Sequence, residues 1–310
     1  MMHEIYMPFT EKRLKEHFAR VKIQGVCVET AENHLKYYRK SVENYTKRTI
    51  ESKSISKIKE PYQIEKDEKF WTAACLMTIF HSQNRIQELS KLYRKAYGPF
   101  PPITGVHSWE ECFGGNLHLF FETNLPSPLF YRQKWLRDKL KERQIIPYIL
   151  NSDNGTKNLE GPTNVDALLV NKDNGFAVII EAKVLSDISY QITYDTMRNQ
   201  IARNIDVMLE RNESLCKPLN KRDPDKTLFM LLTPKPFKDN PKSRLYGYKF
   251  NDYKENPATL QDDLPHRENL DAESISKRLG WLTWEDFQEV NSECCKWLAL
   301  RDKTEEVING

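Results

Sequence analysis

Long hydrophobic runs are missing from this chain: no segment approaches the roughly 18 to 20 unbroken apolar residues that cross a bilayer, so no membrane role is expected. The opening Met1-Met-His-Glu-Ile-Tyr-Met-Pro8 lacks the basic-then-apolar layout of a secretory signal, which makes a cytoplasmic protein the expectation. Cysteine is sparse and unpatterned. Cys27, Cys75, Cys112, Cys216, Cys294 and Cys295 include no Cys-x-x-Cys pair and share no ligand spacing with the seven histidines. Neither a zinc site nor a disulfide framework is indicated, and Cys294 and Cys295 read as packing residues of a C-terminal helix. Glycine-rich phosphate loops are absent too, since Phe113-Gly-Gly115 is a lone pair. His107 and His118 flank that pair without a nucleophile and read as structural.

What is present is charge, unevenly spread. The net charge is only +3, yet residues 1–100 hold 19 Lys and Arg against 12 Asp and Glu, which leaves the remainder acidic. A basic N-terminal part can supply phosphate contacts, with Lys40 and Arg48 in the stretch Lys36 to Arg48 as candidates, while the acidic remainder can hold a cation.

Helical spacing of apolar residues without internal Pro predicts helices over Glu11 to Ala19, Thr30 to Ser52 and Lys66 to Tyr97. The punctuated Gly98-Pro-Phe-Pro-Pro-Ile-Thr-Gly105 then breaks any helix. A helical N-terminal region over 1–98 and a second domain over 99–310 follow. Downstream, the pattern predicts a helix over Pro128 to Arg143 after a Ser127 cap, then an edge strand over Gln144 to Leu150, marked as edge by Pro147. Strands at Val165 to Val170 and Phe176 to Ile180, a helix from Ser189 to Glu210 and a buried strand at Thr227 to Leu232 complete an αβββαβ order. Residues 234–270 read as an extended connection with a strand at Leu245 to Phe250. A last helical region around Leu282 to Phe287 has Thr283 as its N-cap.

Three charges interrupt the two apolar runs. Asp166 lies within the first, and Glu181-Ala-Lys183 ends the second; the turn-forming Asn171 to Gly175 between them predicts a hairpin that brings all three together. Charged residues on buried strands are paired, bound to metal or used for chemistry. Two carboxylates and an ammonium suit a divalent cation and a water held beside it, and period-two alternation puts Lys183 on the same side of its strand as Glu181. The acid-x-Lys tripeptide also occurs at Glu51-Ser-Lys53, Asp67-Glu-Lys69 and Asp252-Tyr-Lys254, but only 181–183 follows an apolar strand beside a second aspartate. The helix after the site sets Met197, Ile201, Ile205 and Met208 on one stripe and Gln200, Arg203 and Asn204 on another.

With Asp166, Glu181-x-Lys183 and the αβββαβ order, the chain resembles the PD-(D/E)XK nuclease superfamily over roughly residues 128–233, in an uncharacterised bacterial or archaeal branch. The resemblance implies an α/β, restriction-endonuclease-like core, with a mixed central sheet flanked by helices, plus the helical N-terminal region. It implies Asp166 and Glu181 as ligands of Mg²⁺, with Mn²⁺ as a substitute, Lys183 as the cation that orients water, and Gln200 as a further catalytic residue. Arg203 and Asn204, with Lys40 and Arg48, would contact substrate. The implied activity is metal-dependent hydrolysis of phosphodiester bonds, in DNA rather than RNA and as an endonuclease rather than an exonuclease. A restriction or defence role and a homodimer go with it. The alternative is a nuclease-fold binding or scaffold protein without turnover. The Pro that often directly precedes the Asp is displaced to Pro162, and a third carboxylate is open, with Glu122 as candidate.

Overall fold

The computed structural model describes residues 9–51 (side chains to 43), 66–151, 155, 158–188, 194–296 and 298. Helix α1 (Glu11–Lys15), a small hairpin of β1 (Val21–Ile23) and β2 (Val26–Val28), and helices α2 (Ala31–Glu51), α3 (Glu68–Phe80), α4 (Arg85–Tyr97) and α5 (Trp109–Phe113) precede β3 (Leu117–Leu125). Between β3 and β4 (Thr163–Asn171) lies an insertion holding a π-helical turn at Tyr131–Trp135 and short helices α6 (Leu136–Asp138), α7 (Leu140–Arg143) and α8 (Pro147–Asn151). Then come β5 (Ala177–Ala182), α9 (Gln200–Met208) and β6 (Thr227–Thr233). Helices α10 (Lys235–Asp239), α11 (Leu245–Glu255), α12 (Leu260–Asp263) and α13 (Ala272–Lys277) lead to β7 (Leu279–Thr283) and α14 (Trp284–Val290).

The fold is α/β, with one mixed five-stranded sheet in the order β3-β4-β5-β6-β7. The pairs β3–β4 and β4–β5 are antiparallel, whereas β5–β6 and β6–β7 are parallel. The connections on either side of β5 suit its pairings. A tight turn suffices between β4 and β5, where Gly175 at φ 78° supplies the left-handed residue and Asn171 N–H donates to Phe176 O. Parallel neighbours need a crossover, supplied by α9 and then by α10 to α13.

Helices cover both faces, so the central strands are apolar on both sides. Val178 and Ile180 of β5 face a core shared with α3, α4, α5 and α14, while Ala177 and Ile179 face α9 and α11. Every residue of β5, β6 and β7 is buried. The N-terminal helices pack into the first of these cores, where Leu35, Phe70 and Leu76 share one cluster with Leu169 and Leu228.

Several local expectations are corrected. Gln144 to Leu150 is not a strand: the Gln144 side-chain oxygen accepts the Ile145 and Ile146 N–H groups, and Pro147 takes the first position of α8, where its missing N–H costs nothing. The first strand of the sheet is instead β3, and the Pro128 to Arg143 segment comes after it, broken into short helical pieces with Leu129 exposed. Ser127 does not cap this segment; its hydroxyl donates to Glu160 and to Gly161 O. Lys66 to Tyr97 is two helices separated at Ser82, whose hydroxyl accepts the Asn84 N–H. Leu245 to Phe250 is helical, and 234–270 holds three helices rather than an extended connection. Helix α9 starts at Gln200, leaving Met197 exposed ahead of it; the earlier part of that expectation, 189–193, lies outside the described residues. Cys27 and Cys216 form a disulfide, correcting the expectation of none; a pair 189 positions apart carries no spacing signal. Cys294 and Cys295 are buried as expected, in a turn after α14.

Candidate active site

The strand registers put three carboxylates in one row. On either side of Glu122, Phe121 pairs with Ala167 and Thr123 with Val165, so Glu122 stands opposite Asp166. One step beyond the Ala167–Ile180 pair, Asp166 stands opposite Glu181. Opposed residues on adjacent strands hold their Cβ atoms about 4.5 to 5.5 Å apart, and the Ala182 N–H donating to Asp166 Oδ2 at 2.8 Å ties the second pair together. Glu122 has φ 49°, a left-handed conformation unusual for a glutamate and costly by about 1–2 kcal/mol. Backbone strain of this kind gathers at functional sites.

Glu181 is fully buried and holds two partners. Lys183 Nζ lies 2.5 Å from Oε1, and Asn204 of α9 donates to Oε2 at 2.7 Å. Lys183 is itself buried and lies 3.8 Å from Glu68 Oε2. Its backbone is fixed from both sides, since its N–H donates to Leu232 O of β6 and its carbonyl accepts the Trp284 indole N–H at 3.0 Å. Burial alone would lower the Lys183 pKa; the charges of Glu181, Asp166 and Glu68 outweigh it and hold the pKa above that of a free lysine. Asp166 moves the other way. Burial first, then the Glu181 charge, push its carboxyl well above the usual carboxylate range. Burial likewise raises Glu122, against the opposing pull of Lys69.

The start of α3 supplies residues that the sequence reading set aside. Asp67 caps the helix through the Lys69 N–H and accepts the Tyr37 hydroxyl. Glu68 accepts the Val184 N–H and the Ser186 hydroxyl, clamping the chain just after Lys183. Lys69 pairs with Glu122 at 2.5 Å and lies over the Tyr37 ring. The Asp67-Glu-Lys69 tripeptide was the available signal, hidden because its partners are long-range.

The other expected residues are placed differently. Asn204 joins the row. Gln200 begins α9 one turn before Asn204, half-buried, its side chain without a hydrogen bond to any described residue. Arg203 turns to Glu160 at 3.5 Å. Lys40 is exposed on α2, away from any ion pair among the described residues; its neighbour Arg39 is bound to Glu11 and Glu32. The Arg48 side chain lies outside the described residues.

Among the described residues no three His, Cys, Asp or Glu side chains form a group that could hold a metal ion. Both Glu181 oxygens are engaged by Lys183 and Asn204, so a cation held here would keep most of its waters. Asp166 and Glu122 are crowded by like charge, and the buried Asn204 Oδ1 has no partner among the described residues, as a coordinated water would supply. No helix among the described residues is long and apolar enough to cross a membrane. Comparisons with protein families, curated proteins and solved structures give no match.

Proposed function

We propose that the protein is a Mg²⁺-dependent nuclease of the restriction-endonuclease-like kind, hydrolysing phosphodiester bonds in DNA as an endonuclease, with Mn²⁺ as a substitute. The row Glu122, Asp166 and Glu181 across three adjacent strands, with Lys183 beside it, carries the reading. Further support comes from the topology: an antiparallel three-strand unit, a crossover helix and a parallel strand. Glu122 is the third carboxylate in this reading, and Glu68 at the start of α3 adds a further one near Lys183.

Asp166 and Glu181 would hold the cation, which when bound supplies positive charge against the phosphate and acidifies water. Lys183 orients the attacking water and offsets charge that grows on the phosphate oxygens. Asn204 keeps Glu181 aimed along the row. Glu68 fixes the chain beyond Lys183 and lies 3.8 Å from its ammonium, which favours the position beside Glu181. A cytoplasmic setting, a homodimer and a role in restriction or defence belong to the same reading.

The test is cleavage of supercoiled plasmid, linear duplex, single-stranded DNA and RNA, each with Mg²⁺, with Mn²⁺ and with chelator. Metal-dependent cuts in the plasmid are expected, and Asp166→Asn should slow them by about 10² to 10³. Absence of metal-dependent cleavage on every substrate, or an Asp166→Asn variant as fast as the parent, would leave the binding or scaffold reading in its place.

A further inference from the structure

The insertion between β3 and β4 leaves the sheet three residues after Glu122 and returns three residues before Asp166, so both its ends rise from the carboxylate row. It is built to hold a shape. Tyr131, Leu136, Leu140 and Leu159 bury a small core of their own. Asp195, just ahead of α9, accepts the Tyr131 hydroxyl at 2.6 Å and two hydrogen bonds from Arg143 at 2.9 and 3.0 Å, pinning the insertion at two points.

The insertion also exposes apolar side chains. Phe130, Ile145 and Tyr148 are 52%, 87% and 82% exposed, a concentration of large apolar side chains that folding leaves in water. Between Pro128 and Tyr148 there are six Lys and Arg against two Asp and Glu. Lys134 and Lys141 are exposed and have no carboxylate partner among the described residues. Two exposed rings, Phe130 and Tyr148, with the exposed Lys134 and Lys141 between them in the chain, match the two needs of an unpaired nucleic-acid strand, whose bases offer stacking faces and whose backbone offers regular negative charge. A lipid surface is disfavoured, because the insertion is broken into short helical pieces and presents no continuous apolar helix face.

We propose that this insertion binds unpaired nucleotides next to the carboxylate row, with Phe130 and Tyr148 stacking on bases and Lys134 and Lys141 contacting phosphates. It rests on the nuclease reading for its placement of the substrate, and it narrows that reading to DNA with a single-stranded region, such as a fork or flap.

The experiment is fluorescence anisotropy of the full chain in chelator, which prevents turnover, with one labelled oligonucleotide as single strand, blunt duplex and fork. The double variant Phe130→Ala/Tyr148→Ala should weaken single-strand and fork binding about tenfold or more, with little change on the blunt duplex. Lys134→Gln/Lys141→Gln should flatten the salt slope on the single strand by about 1.4, two contacts at about 0.7 each. All four side chains are exposed, and an unchanged urea midpoint verifies folding. Unchanged single-strand affinity in the aromatic variant, equal weakening on the blunt duplex, or a parent that binds phosphatidylserine vesicles in preference to oligonucleotides overturns the proposal. A parent that binds as expected but cuts nothing with metal defeats the nuclease reading and leaves this one standing.

Discussion

In Lys183 the catalytic role proposed above would share a side chain with a structural one. It neutralises a carboxylate that is itself fully buried, so removing the ammonium leaves Glu181 charged and without its counter-ion. Breaking one side of a buried pair typically costs about 3–5 kcal/mol, whereas replacing both sides by neutral groups of similar size costs far less. Lys183→Met should therefore lose about that much stability in urea unfolding, and Glu181→Gln/Lys183→Met should recover most of it. A single variant as stable as the parent would show that Glu181 does not depend on the pair. Loss of cleavage in any Lys183 variant has to be compared with its unfolding curve before it counts as chemistry. Asp166, Glu181 and Lys183 were legible in the sequence because each interrupts an apolar strand. Glu68 and Lys69 were not, because a charged helix start looks like any solvated one until the sheet is placed against it.

At the scale of elements, legibility followed the range of the forces involved. Strands β4, β5 and β6 are short apolar runs bounded by turn residues, and the Thr283 cap is a local hydrogen-bonding pattern, so both could be read directly. In the structure the Thr283 hydroxyl accepts the Asp286 N–H while the Asp286 carboxylate accepts the Thr283 N–H. Thr283→Ala should cost about 1 kcal/mol through loss of this reciprocal cap, with Thr283→Ser close to the parent; chemical denaturation gives both values, and an unaffected Ala variant would mean that packing of Trp284 alone sets the helix start. By contrast β3 was missed, although Leu117 to Phe121 is an apolar run following Gly114-Gly115. Its edge position and its pairing with β4 across the whole insertion are long-range, and Gln144 to Leu150 offered a nearer, similar-looking run. In that run the Gln144 side chain takes up the Ile145 and Ile146 N–H groups, and the helix starts just after them at Pro147.

Over the whole molecule, two links fasten peripheral segments to the core. One is the Cys27–Cys216 disulfide, which joins the β1–β2 hairpin to the chain after α9. Protein unfolded without reductant should take up four alkyl labels by mass spectrometry, and six after reduction; six labels at the outset would mean that the link does not form where the protein is made.

The second link is polar and titratable. His17 O accepts the Phe121 N–H at 2.8 Å, and His17 Nδ1 lies 2.9 Å from Leu119 O, so the segment after α1 covers the edge of β3. A carbonyl can only accept, so His17 Nδ1 carries a proton, and with His17 neutral its Nε2 accepts the His81 Nε2–H at 2.9 Å. Only one proton fits between the two Nε2 atoms, so the contact excludes both rings being charged at once. Burial lowers the His17 pKa, and burial followed by the His17 charge lowers His81 from 6.5 to about 4. Between those two values the unfolded chain binds protons that the folded chain refuses, so stability is greatest above about pH 6.5 and falls as the pH drops toward 4. Carboxylates titrate in the same window, which makes a variant the necessary reference. Urea midpoints of the parent and of His81→Phe at pH 7.5 and 4.5 separate the two contributions, since the carboxylates are common to both proteins. The parent should lose more stability on acidification than the variant; equal losses would place the acid sensitivity elsewhere and leave the histidine pair as a neutral packing contact.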